Sequence, residues 1–269
     1  MANSGATKPN RRGLPGSKSV LATLSFAPGG RSRPIAHGAP SEGVGRATYR
    51  IFRTDEVDAK DSPLSATERN SVLATGAAVA RVSGDSFAGT AREVAKLSIS
   101  NATVESFNDI KDLIASFPPK AQMVRHEPPI TTDQNSGRVT EEERNISAIG
   151  FLYAASQEND NDYHLIIGRD TASQPPMYMT MEISGLPAQS EPSFATLKAS
   201  RDAYKAFFGN NLPGASYDFY DPPIPVKVKG SLFFDMSHAR GKSPGPPSLH
   251  PDMPVIWEVH PITDIQFES

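Results

Sequence analysis

The sequence predicts a mainly β fold with α: a C-terminal OB-fold-like five-stranded barrel over residues 141–269. It expects a small helical and irregular region over 46–140 before the barrel, and a flexible basic arm over 1–45. Three observations carry this expectation. The apolar period is helical before Pro118-Pro119 and changes to two after Glu141-Glu142-Glu143. The second half then reads β-β-β-α-β-β. Charge is also divided, because residues 1–50 set eight basic groups against Glu42, a balance of +7 that leaves −10 for the remainder of a chain whose total is −3.

Composition closes off several classes of function. With 269 residues and no cysteine, disulfides, thiolate metal sites, iron–sulfur clusters and a cysteine nucleophile are excluded. The arm is rich in Gly, Pro, Ser and Arg and has no sustained apolar period, so burial cannot offset its chain entropy. Such an arm is either a solvated tail or a contact for nucleic acid or an acidic partner. The apolar run from Val20 to Ala27 follows Arg11, Arg12 and Lys18 in the manner of a signal peptide, but it is short and Pro28 follows it. No apolar stretch approaches the roughly 20 residues needed to span a bilayer. The expectation is a cytoplasmic protein with no membrane partner.

The elements follow in order. Residues 46–60 read as an extended entry to the folded part, and the alanine-rich run Ser65 to Val82 as a helix. A second helix is expected from a Thr103 cap through Val104, Phe107, Ile110, Leu113, Ile114 and Phe117, ended by Pro118-Pro119. Residues 120–140 carry loop chemistry. Five strands are then expected at Asn145–Ala155, Tyr163–Gly168, Tyr178–Ile183, Val226–Asp235 and Val255–His260. A helix through Phe194, Leu197, Tyr204, Phe207 and Phe208 precedes the fourth, stopped by Gly209-Asn210-Asn211. That order is the order of an OB-fold. Gly150, Gly168 and Gly230 fall inside strands, where glycine marks the bends of a small barrel.

Four segments carry a resemblance. Phe151-Leu152-Tyr153, the stretch Glu158 to Leu165, Gly230 to Asp235, and Trp257 to Pro261 resemble a group of uncharacterised bacterial proteins. These share a D-Y-H-L … F-F-D … E-x-H-P pattern. The resemblance covers about residues 140–269 and implies the same C-terminal fold, with no activity to carry over.

Most chemical motifs fail. Gly241-Lys242-Ser243 lacks the earlier glycine of a P-loop, since Met236 stands there. Asp160-Asn161-Asp162 begins like a calcium loop, but Leu165 and Thr171 occupy its turn and closing positions. No G-x-S-x-G or H-E-x-x-H is present. One constellation remains: His164, Asp235, His238, Glu258 and His260, which neighbouring strands can bring together. Imidazoles with carboxylates suit Zn²⁺, Mn²⁺ or Fe²⁺. The plainer alternative makes the histidines structural, with Asp235 capping a turn and no cofactor. Glu158, Asp160 and Asp162 read as a solvated hairpin turn, or else as a weak cation site.

Nucleic-acid binding by the barrel would use Tyr178 and Phe233 for stacking and Lys227 and Lys229 for phosphates. Residues 141–269, however, hold nine bases and seventeen acids, which opposes phosphate contact. The two lysines equally suit the solvent face of an edge strand. Three functions therefore stand. The first is a non-enzymatic binding module of unknown ligand, and it requires the least geometry. The second is a metal-dependent hydrolase, and the third is a nucleic-acid binder acting through the arm.

Overall fold

The computed structural model describes residues 20–25, 48–57, 84–240 and 244–267, the first of these as a strand course only. The helix expected over 65–82 lies outside the described residues, as does the arm apart from β1 (Val20–Ser25). β1 pairs antiparallel with β2 (Thr48–Arg53), and β2 pairs in turn with β7 (Asp218–Phe234). Among the described residues no helix is long and apolar enough to cross a membrane.

The chain is mainly β with few helices, arranged as a mixed sheet. After α1 (Glu93–Leu97), the expected second helix is divided. Val104–Phe107 is β3, running parallel to β4 (Asn145–Gln157), and the helix α2 occupies only Ile110–Ala115. The cap is Asp109 rather than Thr103: its carboxylate accepts the Lys111 backbone N–H at 2.8 Å. Spacing of three and four residues did not distinguish the two outcomes. The ladder to β4 gave Val104–Phe107 to the sheet, and Asp109 fixed the start of the helix. Within the expected loop, Lys120–Val124 forms a one-turn helix, α3, anchored by buried Met123.

From β4 onward the elements come in the expected order: β5 (Tyr163–Gly168), β6 (Tyr178–Ile183), α4 (Phe194–Phe208), β7 and β8 (Trp257–Phe267). The sheet order is β1-β2-β7-β8-β6-β5-β4-β3, with β4 also paired to β7. The strands β5, β6, β8 and β7 thus lead from one side of β4 round to its other side. β6 and β8 are parallel, while β4 pairs antiparallel with both β5 and β7. Alternation fills the inside with Leu165, Ile167, Met179, Met181, Val226, Val228, Leu232, Phe234 and Val259. Ile110, Leu113 and Met123 close the same core.

Pairing between β7 and β8 shifts on both sides of Gly230. A Cβ there would fall on the Pro261 carbonyl oxygen and lie 2.6 Å from Val259 Cγ1, so the bulge requires glycine. β7 is no edge where its lysines stand. Lys229 lies between Ser147 of β4 and Asp264 of β8, which corrects the edge-strand expectation.

A covering segment, residues 84–97, completes the arrangement. Leu186 donates its N–H to the Asp85 carbonyl at 2.7 Å, and Phe87 donates to the Leu186 carbonyl at 2.9 Å. Gly185 permits this approach, because its Cβ would stand 2.6 Å from Phe87 Cα. The cover passes over the outer face of β6 and β8. That face carries the chemistry.

Candidate metal centre

Strand alternation turns His164 outward from β5, Thr180 and Glu182 from β6, Glu258 and His260 from β8, and Phe233 from β7. Register aligns them, with His164 opposite Glu182, Thr180 opposite Glu258, and Glu258 opposite Phe233. The turn after β4 adds three acids. Asn161 holds a left-handed backbone (φ 75), a conformation asparagine tolerates, and its amide donates to the carbonyls of Gly84 at 3.1 Å and Ser86 at 2.8 Å. That bond fastens the turn under the cover and turns Asp162 inward. Lys96, at the end of α1, reaches over it from the cover.

Two ligand-like groups result. Asp162, Glu182 and His260 each offer an atom within 4.8 Å of the others, and so do Glu158, His164 and Glu182. In the first group His260 Nδ1 lies 2.9 Å from Glu182 Oε2 and 3.5 Å from Glu258, while Nε2 lies 3.3 Å from Asp162 Oδ2. At these distances the ring nitrogens, Asp162 Oδ2 and Glu182 Oε2 make no well-aligned hydrogen bond, and what joins them is charge: Glu182 to His260, and Lys96 to Asp162 Oδ2 at 3.7 Å. All are buried, with the His260 and Asp162 side chains at 0% exposure. A neutral imidazole has one N–H, so at least one nitrogen presents a lone pair to a carboxylate. In the second group Glu158 Oε1 lies 2.7 Å from His164 Nδ1, and His164 Nε2 lies 3.1 Å from the Thr180 hydroxyl.

The electrostatics are unbalanced. The carboxylates of Glu158, Asp160, Asp162, Glu182, Asp235 and Glu258 surround Lys96, the cation they share among the described residues. Burial would lower the Lys96 ammonium, but Asp160, Glu182, Asp162 and Glu158 outweigh it and hold the group well above the usual lysine range. Burial and neighbouring acids push Asp162 and Glu258 well above the usual carboxylate range, and burial pushes Glu158 up to about 8. Glu182 goes the other way. Its burial is outweighed by His260 and Lys96, so it stays ionised. Burial lowers His260 against the pull of Glu182, which favours the neutral imidazole that a metal requires; with that ring neutral, Lys96 is the charge that keeps Glu182 ionised. Without a cation, burial and mutual repulsion favour protons on several of these acids.

No protein-family model, curated protein or solved structure matches the chain. Geometry alone supports an assignment.

Of the residues expected from sequence, His164, Glu258 and His260 lie together on the outer face. Asp235 and His238 border them as a hydrogen-bonded pair, and Asp235 also accepts the Ser237 N–H at 2.8 Å, which is the turn-capping role. The expected base-stacking set does not assemble. Phe233 is buried, with its ring between the Arg92 guanidinium, 4.8 Å away, and the His260 ring, 5.3 Å away. Tyr178 packs edge-on against Tyr153, and Lys229 faces Asp264 at 3.8 Å. Lys227 lies in the β7 ladder opposite Ile149 and Gln266.

Sequence reasoning missed Glu182 and Lys96 and misread the turn. Glu158, Asp160 and Asp162 are not a solvated hairpin, because the cover buries Asp162 completely. Glu182 had one available signal, since it shares the outward face of β6 with Thr180, directly across from His164. Lys96 had none.

Proposed function

We propose that the protein is a divalent-cation-binding module, with Asp162, Glu182 and His260 as ligands on the outer face of an OB-fold-like barrel. The barrel is supported by the ring β4-β5-β6-β8-β7, the parallel β6–β8 pair and the helix between the third and fourth of these strands. The observation that carries the function is His260, fully buried between carboxylates with neither nitrogen in a well-aligned hydrogen bond. Buried polar atoms are nearly always satisfied, and a cation held by one His260 nitrogen and the carboxylates would leave the other nitrogen to donate its N–H to the carboxylate it faces. Enclosure of the three ligands fits a structural, non-enzymatic site, as closed sites generally are.

The test begins with purified protein stripped by chelator and titrated with Zn²⁺ and with Mn²⁺. Uptake of at least one equivalent, lost in His260→Ala, is the expected result. Protein that takes up neither ion, or His260→Ala that binds like wild type, overturns the assignment.

A specific observation favours a second reading, metal-dependent hydrolysis. Asp235 accepts the hydrogen bond of His238 Nδ1 and so orients the imidazole beside the acid cluster. In that role His238 takes a proton from water, and a bound cation supplies acidification of that water. Metal-loaded protein would then cleave 4-nitrophenyl phosphodiesters or esters. His238→Asn would lower the rate at least about a hundredfold with metal uptake unchanged. No turnover by the loaded wild type leaves the binding role alone.

A further inference from the structure

We propose that the site holds a pair of cations, the second lying among Glu158, His164 and Glu182, with Glu182 bridging the two. The proposal rests on the first cation position and extends it. Glu182 divides its two oxygens between the imidazoles: Oε2 lies 2.9 Å from His260 Nδ1, and Oε1 lies 3.8 Å from His164 Nδ1. A carboxylate placed this way can ligate one ion through each oxygen, as in paired-metal sites whose ions stand about 3.5–4 Å apart.

The surroundings of His164 fit a ligand. Its Nε2 meets the Thr180 hydroxyl at 3.1 Å, and Thr180 occupies the neighbouring outward position on the same strand as Glu182. An Nε2–H donated to that hydroxyl fixes the tautomer with its lone pair on Nδ1, the nitrogen that faces Glu158 at 2.7 Å. This is how ligating histidines are ordinarily oriented. Glu158 is the outermost member, its side chain 27% exposed while His164 is 1% exposed, so the second position opens toward solvent and the first is sealed.

The donors are nitrogen and carboxylate oxygen without sulfur, a set that suits Mn²⁺, Fe²⁺ or Zn²⁺.

Chelator-stripped full-length protein, loaded with Mn²⁺ and freed of excess ion, gives the test through metal content and electron paramagnetic resonance. Wild type should retain about two equivalents and show the broadened spectrum of an exchange-coupled pair. Glu158→Gln and His164→Gln should each retain about one equivalent and return the resolved pattern of an isolated ion. Either variant suffices if the other does not fold. Wild type with a single equivalent, unchanged in Glu158→Gln, would overturn the second position and leave the first standing. Wild type with none removes both. Full retention of the coupled pair in both variants would overturn the assignment of these ligands.

Discussion

Replacing Arg92 with Met should lower stability by about 3–5 kcal/mol, since removing one member of a buried ion pair strands its partner. Arg92 grips Glu142 through its two terminal guanidinium nitrogens, at 2.7 and 2.8 Å, with side-chain exposures of 2% and 0%. The same arginine donates to the carbonyls of Gly137 at 2.7 Å and Phe234 at 3.1 Å. Glu142 accepts in return from the backbone N–H groups of Val139 and Phe234, both at 2.8 Å. These bonds tie the cover to the end of β7, next to Asp235. Chemical unfolding followed by fluorescence of Trp257, the chain's one tryptophan, checks the effect, because its ring packs in the core against Phe117 and Phe234. The double variant Arg92→Met with Glu142→Gln removes the stranded charge but sets an amide NH2 against a backbone N–H, so it should recover only part of the loss. A single-variant loss below about 1 kcal/mol would show that the pair behaves as though solvated.

Glu182→Gln should abolish the stabilisation that divalent cations confer. With a cation about a hundredfold above its Kd, binding to the native state alone adds about 2.7 kcal/mol. For a chain of this size that raises the thermal midpoint by roughly 5–10 °C. The bridging position makes Glu182 the one ligand common to both cation positions, so glutamine should remove the whole increment. Variants at Glu158 or His164 should remove only part of it. Stability in the absence of cations should change less. Glutamine surrenders the attraction of Glu182 to His260 and Lys96, but it also relieves the repulsion that Glu182 imposes on Asp162 and Glu258. Thermal scans with and without Mn²⁺ decide the matter. A Glu182→Gln protein that gains as many degrees as wild type removes Glu182 from the ligand set.

Much of the site was legible from strand alternation. Once Tyr163–Gly168 and Trp257–Phe267 are strands, His164, Glu258 and His260 must turn away from the apolar side. What alternation leaves open is whether the outward face meets water. Phe233 illustrates the difference: it points outward as expected, yet Arg92 lies over its ring and removes it from any base-stacking role. Glu182 looked like an ordinary solvent-facing residue for the same reason. The Val104 to Phe107 stretch failed differently, because its spacing satisfied a helix while a neighbouring strand offered its backbone a better set of partners.

The sequence by itself determined the order of the C-terminal strands and helix, the face each residue takes, and the kinds of ligand any metal must find. Without cysteine these are histidine and carboxylate. Only the tertiary structure decided that the outer face is covered and that Asp162 turns inward. It alone brought Glu182 between two imidazoles and Lys96 over the acids. Alternation is a local property of the backbone, whereas burial of this face depends on a segment some sixty residues or more away in the chain, fastened through Asn161, Gly185 and Arg92. Covering the face removes water from the carboxylates, and that loss of water makes it costly to leave them charged without protons or a cation.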